Sequence, residues 1–182
     1  MKSRGVVVAV TIVGLLLSLF AAGCKPASTK VVVATDATWP PMEYVDENKQ
    51  IVGYDIDLMN AIAAEAGFEV EYRNVAWDGI FAGLAAGDYD AVISSMTITD
   101  ERRQEYDFSN PYINAGQIVV VPADSSITGP QDLAGYTVGA QLSTTGAFSV
   151  QKMEGVTLKE YDEIGLAFED LVAGRVDAVV CD

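Results

Sequence analysis

One block of sequence occurs twice. Leu84-Ala85-Ala86-Gly87-Asp88-Tyr89-Asp90-Ala91-Val92-Ile93 and Leu171-Val172-Ala173-Gly174-Arg175-Val176-Asp177-Ala178-Val179-Val180 run through the same order of chemistry. Each reads as an apolar helix end, a glycine, a turn and an Asp-Ala-Val strand start. The glycine stops the helix, because a residue without Cβ takes the left-handed conformation of a helix C-terminus at little cost. A supersecondary unit used twice predicts two α/β lobes built on one local plan.

The rest of the chain fits that plan. Val31–Ala34 is an apolar run suited to a buried parallel strand. Pro40-Pro41 then forbids continuation as a helix or central strand. Tyr54–Ala66 places Ile56, Met59, Ile62, Ala63 and Ala66 at helical spacing before Gly67. Phe68–Arg73 alternates as a strand with one wet face, Trp77–Ala86 is a helix with Ile80, Phe81 and Leu84 on one side, and Asp90–Ser94 is a third strand. This gives a doubly wound half over residues 31–114. The pattern restarts over 115–182: strands at Gln117–Val121, Tyr136–Ala140, Val156–Glu160 and Asp177–Cys181, with helices from Ser143 to about Met153 and from Glu163 to Ala173. The second lobe stops at Asp182, just past a strand expected to be buried, so it reads as incomplete and the chain as truncated.

Composition excludes several functions. Half the residues are hydrophobic, enough for a substantial core, and the net charge of −15 argues against nucleic acid or an anionic lipid surface as partner. Histidine is absent, which removes Ser-His-Asp and Cys-His catalysis and His-ligated metals. Cys24 and Cys181 are too few for a disulfide framework, and no P-loop or GxGxxG pattern occurs, so no cofactor or metal is expected. At the amino end, Lys2 and Arg4 precede an apolar run from Gly5 to Ala22. Residues 1–23 therefore read as a secretory leader, the alternative being an uncleaved membrane anchor. Ala21-Ala22-Gly23-Cys24 looks like a bacterial lipobox, which would make Cys24 the lipidated residue and 24–30 a tether. The mature protein is then expected to be exported and lipid-anchored to the cell membrane, facing the periplasm or the extracellular side.

Open α/β sheets bind small ligands at the carboxyl ends of their strands. Those ends carry Asp36 to Trp39, Ser94 to Thr97, Gln141 to Thr145, and Asp182, with Arg102 one turn past Thr97. A guanidinium and the start of a helix at Thr145 suit a carboxylate, while Asp182 or Asp36 suits an ammonium. A ligand with both charges close together is an α-amino acid, and Trp39 and Trp77 supply flat walls. Plainer readings stand beside these. Thr99-Asp100-Glu101 and Ser143-Thr144-Thr145 read equally as helix caps, Trp77 as core, Asp36 and Asp182 as turn caps, and Arg103 as a solvated partner of Glu101 or Glu105.

Gly53-Tyr54-Asp55-Ile56-Asp57-Leu58, Asp90-Ala91-Val92-Ile93, Thr97-Ile98-Thr99-Asp100-Glu101-Arg102, Asp107-Phe108-Ser109-Asn110-Pro111-Tyr112 and Val138-Gly139-Ala140-Gln141 appear in an order that resembles one family. It is the extracellular solute-binding proteins of polar amino acid ABC importers, bacterial solute-binding family 3. The resemblance implies a periplasmic-binding-protein type II fold with a hinge between the lobes. It implies a monomer that closes over a polar or charged L-amino acid and docks on a membrane permease. It also implies roles: Arg102 on the ligand carboxylate with Thr97 and Thr145, Ser95 and Thr97 near the α-amino end, and Asp182 as the ammonium-binding acid. Asp36 would face the ligand side chain between Trp39 and Trp77. Ser143 departs from the family, where glycine is common. A dehydratase-like enzyme on the same scaffold and the sensing domain of a receptor are the competing readings.

Overall fold

The computed structural model describes residues 29–182, so the leader, most of the tether and the Cys24 lipidation site lie outside the described residues. Strand β1 (Lys30–Thr35) is the centre of a parallel three-stranded sheet, flanked by β5 (Glu69–Asn74) and β6 (Ala91–Val92). In the second lobe β8 (Thr137–Gln141) is likewise flanked in parallel by β9 (Thr157–Tyr161) and β10 (Ala178–Cys181). Both lobes thus place their first strand between their second and third. An extra strand, β7 (Ile118–Val120), runs antiparallel along the outer edge of β10.

The repeated Asp-Ala-Val has a physical cause. Asp90 donates its backbone N–H to Val32 O at 2.9 Å and accepts the Val32 N–H on its carboxylate at 2.8 Å. Asp177 does the same to Thr137, donating to its carbonyl and accepting its N–H, both at 2.8 Å. In each lobe one aspartate therefore locks the start of the third strand onto the first. The preceding glycines, Gly87 (φ 76°) and Gly174 (φ 68°), hold the left-handed turn that delivers it.

Alternation along β10 divides the second lobe into two cores. Ala178 and Val180 pack with Val138 and with Val150 of α4 (Thr145–Gln151). Val179 and Cys181 pack on the other face with Ile164, Ala167 and Leu171 of α5 (Ile164–Val172). Successive residues of a strand point to opposite faces, so helices cover both sides of the sheet, which makes it doubly wound. On the outer side of α5, Asp170 accepts from Lys159, Tyr161 and Arg175 and ties the helix to β9 and to the repeat turn.

In the first lobe α1 (Tyr54–Ala66) buries Ile56 and Ala63, and α2 (Ile80–Ala86) buries Ile80 against Ala34 and Trp77. Ile62, expected on the buried stripe of α1, is 45% exposed. It lies off the Ile56–Ala63 line, beside an open cleft. Helix α4 is shorter than expected at its start, since Thr144 caps it by accepting from Ala147 N–H at 3.2 Å. Arg103 takes part in none of the ion pairs among the described residues, so it is no partner of Glu101 or Glu105. A small antiparallel sheet was not anticipated: β2 (Thr38–Trp39), β3 (Glu43–Val45) and β4 (Ile51–Val52), with Pro40-Pro41 in the turn between the first two.

Candidate functional site

The strand ends of both lobes converge. Trp39, Trp77, Ser94, Ser95, Thr97 and Arg102 from the first lobe line one cavity with Gln141, Thr144, Thr145 and Asp182 from the second. Every ligand residue read from the sequence except Asp36 lies on this wall.

Arg102 begins from the helix turn that the sequence suggested. Thr99 accepts its backbone N–H at 3.2 Å as the cap of α3 (Asp100–Arg103), so the expected capped turn is present and carries Arg102. The guanidinium donates to Thr97 O at 2.8 Å and to Ser143 O at 3.4 Å, a contact between lobes. It lies 5.6 Å from the centre of the Trp77 ring and 5.2 Å from that of Phe81. Burial pulls its pKa down, and the charge of Asp182 acts the other way. Arg102 and Asp182 nonetheless form no ion pair within 4.0 Å. A cation and a carboxylate from different lobes therefore face one cavity, each with capacity for a partner.

The remaining residues divide by what they already hold. Thr97 and Thr145 bring their hydroxyls to 3.4 Å across the lobes, and Thr145 also accepts from the Gln117 amide at 3.1 Å. Ser95 gives both its N–H and its hydroxyl to Asp55 Oδ2, at 2.6 and 3.3 Å. What it can offer the cavity is therefore acceptor oxygen, which suits an ammonium better than a carboxylate. Trp77 is both core and wall: it is 7% exposed, packs on Ile80 and Ala34, and still borders the cavity. Trp39 leaves its own lobe and packs against the cluster of Ile164, Ala167 and Leu171.

Asp36 stands one hydrogen bond behind the wall. It is 2% exposed, with Oδ1 accepting from Thr38 Oγ1 and Oδ2 from Gln141 Nε2, both at 2.9 Å. Burial pushes its carboxyl above the ordinary value, opposed by those two hydrogen bonds. Gln141, placed at a strand end by the sequence, was given no role there. Fully buried, it donates to Asp36 and to Asp162 O at 2.9 Å and accepts from Trp39 Nε1 at 2.5 Å. A signal was present, since an amide ending the apolar run Val138-Gly139-Ala140 must find partners once buried.

A larger cleft, about 780 Å³, runs beside the edge strand β6 and is lined by Leu58, Met59, Leu84, Val92, Met96 and Ile113. Its wall is mostly apolar, with Ser95, Thr97 and Asp182 shared with the smaller cavity.

The family model for bacterial extracellular solute-binding proteins, family 3, matches residues 31–174. ABC transporter arginine-binding protein 1 of Escherichia coli is 36% identical over 168 residues, covering 92% of this chain and 68% of that protein. The chain spans only 58% of the length of other curated relatives that it matches. Among solved structures, a truncated, arginine-bound form of ArgBP from T. maritima superposes with a TM-score of 0.80 at 42% identity, covering 84% of this chain and 73% of that one. An ancestral amino acid-binding protein, AncCDT-1, described as a precursor of cyclohexadienyl dehydratase, superposes with a TM-score of 0.81 at 39% identity, covering 84% and 70%.

Proposed function

The chain belongs to the bacterial extracellular solute-binding proteins of family 3, and on that premise we propose that it captures a free polar or cationic L-amino acid and hands it to an ABC importer permease. The observation that carries this reading is the placement of Arg102 and Asp182, unpaired with each other, on opposite lobes around one cavity. The ligand carboxylate pairs with Arg102, flanked by the hydroxyls of Thr97 and Thr145. Its ammonium pairs with Asp182 and with the free acceptor oxygen of Ser95, while Trp39 and Trp77 sandwich the stem. The ligand side chain then points toward Gln141, with Asp36 behind it. That arrangement accommodates a donor-rich side chain, in keeping with relatives named for arginine.

Capture works by closure. Neither charged group is matched until both lobes meet the ligand, and a buried charge left unpaired is heavily penalised. The segment 113–117, between the end of the first lobe and β7, serves as the hinge, with the lobe boundary near residue 114. Export, the Cys24 lipid anchor and a monomeric state complete the proposal.

A thermal-shift screen of the common amino acids on the full-length protein, followed by calorimetry, tests the function. One or a few polar or cationic amino acids are expected to raise the melting temperature and to be recovered unchanged. No shift with any of them would refute the assignment, and turnover would place the protein among enzymes. Gln141→Leu is expected to weaken affinity about tenfold to a hundredfold, because stranding a buried polar partner costs about 1–3 kcal/mol. Unchanged affinity would remove Gln141 from closure.

A further inference from the structure

Behind the cavity wall lie two buried carboxyl groups that are not among its lining residues. Glu43, opposite Trp39 in the small sheet, is 1% exposed, and Asp55, in the first turn of α1, is 0% exposed. Glu43 Oε1 accepts from Ser94 Oγ at 2.9 Å, and Ser94 Oγ accepts the Asp36 N–H at 3.0 Å. Asp55 Oδ2 accepts from Ser95 N–H, from Ser95 Oγ and from Tyr112 Oη, the last at 2.9 Å. Each carboxyl has one oxygen left over, Glu43 Oε2 and Asp55 Oδ1, and both are buried without a donor. The backbone brings the two residues side by side: Asp55 N–H donates to the carbonyl of Met42, the residue before Glu43, at 3.0 Å, and the adjacent Ser94 and Ser95 bond one carboxyl each. Two ionised carboxylates so placed repel strongly in a water-poor interior.

We propose that Glu43 and Asp55 share one proton and together act as a positioning pair, holding Ser94 and Ser95 in the arrangement that binds the amino acid. A single hydrogen between the two orphaned oxygens satisfies both at once. Three donors already converge on Asp55 Oδ2, so the proton belongs on Glu43. The pair has something to hold: Ser95 sits at φ 43°, a left-handed conformation that costs a residue with a side chain energy unless its surroundings fix it. Asp55 fixes it through two hydrogen bonds, and Glu43 fixes the neighbouring Ser94. The proposal rests on the reading of this cavity as an amino acid site.

Charge around the pair favours the proton. Glu43 faces Asp55 from α1 and Asp36 from the end of β1, while Tyr112 reaches Asp55 from the segment before the hinge. Every charged group acting on Glu43 is acidic, and burial and then Asp55 push its carboxyl up to about 9. Since its ordinary value is 4.5, the folded state keeps a proton that the unfolded chain releases. The stabilisation is complete below about 4.5 and is lost as pH rises through about 9.

Glu43→Gln tests this, because a neutral amide keeps both hydrogen bonds at any pH. Infrared spectra of ligand-free wild type at neutral pH are expected to show a protonated-carboxyl stretch that Glu43→Gln lacks. The wild-type melting temperature should fall between about pH 5 and pH 9, with a flatter profile in the variant. With L-arginine as probe, wild-type affinity should weaken about tenfold more than that of the variant between pH 8 and pH 10. The variant then reports only the titration of the ligand itself. Absence of the infrared band in wild type, or identical pH profiles for the two proteins, would overturn the shared proton. Failure of wild type to bind any amino acid would instead strike the proposed function, because the two ligand-free measurements stand without it.

Discussion

Arg102→Met is expected to abolish measurable amino acid binding while leaving the protein folded. Methionine keeps the length and apolar character that stack on Trp77 and Phe81, whose ring centres lie 5.6 and 5.2 Å from the guanidinium carbon. It removes the charge and all five N–H donors, of which the structure uses two on Thr97 O and Ser143 O. The donors left over are those that the proposed function assigns to the ligand carboxylate. Removing one member of a buried charge pair costs about 2–5 kcal/mol, roughly thirtyfold to several thousandfold in affinity. Most of the loss should appear in the dissociation rate, because charge pairs buried by closure act after encounter. Calorimetry giving near wild-type affinity would disprove the carboxylate role. Arg102→Lys should fall between the two, since an ammonium supplies charge without the planar fork that grips both oxygens.

The second large effect is expected from a residue far from any ligand. Gly53→Ala should lower the melting temperature by on the order of 10 °C. Gly53 precedes α1 with φ 132°, a conformation closed to residues with a Cβ. An added methyl would stand 2.3 Å from Met42 O and 2.9 Å from Pro41 O. Those atoms are backbone and hold the helix start: Tyr54 N–H donates to Pro41 O at 3.2 Å and Asp55 N–H to Met42 O at 3.0 Å. The mutation therefore combines backbone strain with overpacking, together about 2–5 kcal/mol. It also displaces Asp55, so affinity should fall with stability. Gly165→Ala is the control. It lies inside α5 with open space where the methyl would go, and it should be neutral or slightly stabilising. Equal melting temperatures for the two variants would show that the 41–42 turn yields freely.

Much of this protein is written locally. Helices, strands and their glycine stops follow from periodicity and from single residues at boundaries, so the order of elements was legible to within a few residues. The Asp-Ala-Val repeat foretold two lobes of one plan because its aspartate makes the same two bonds in each. The strand-end rule then placed Arg102, Thr97, Thr145 and Asp182 around one cavity, since topology alone brings those ends together. The small sheet was not legible, as strands of two and three residues show no period.

Nor could the sequence say which way its polar atoms turn. Asp36 and Gln141 meet across 105 positions, and only that contact sets the carboxylate behind the wall instead of on it. Trp39 crosses to the other lobe, and Ser95 spends its donors on Asp55, 40 positions earlier. Glu43 is an ordinary strand residue in sequence, and only burial beside Asp55 raises its carboxyl above the ordinary value. Residue type and spacing fix the groups available to a site. Burial and long-range pairing decide which of them remain free to bind, because a buried polar atom must be satisfied by whatever the tertiary fold brings beside it.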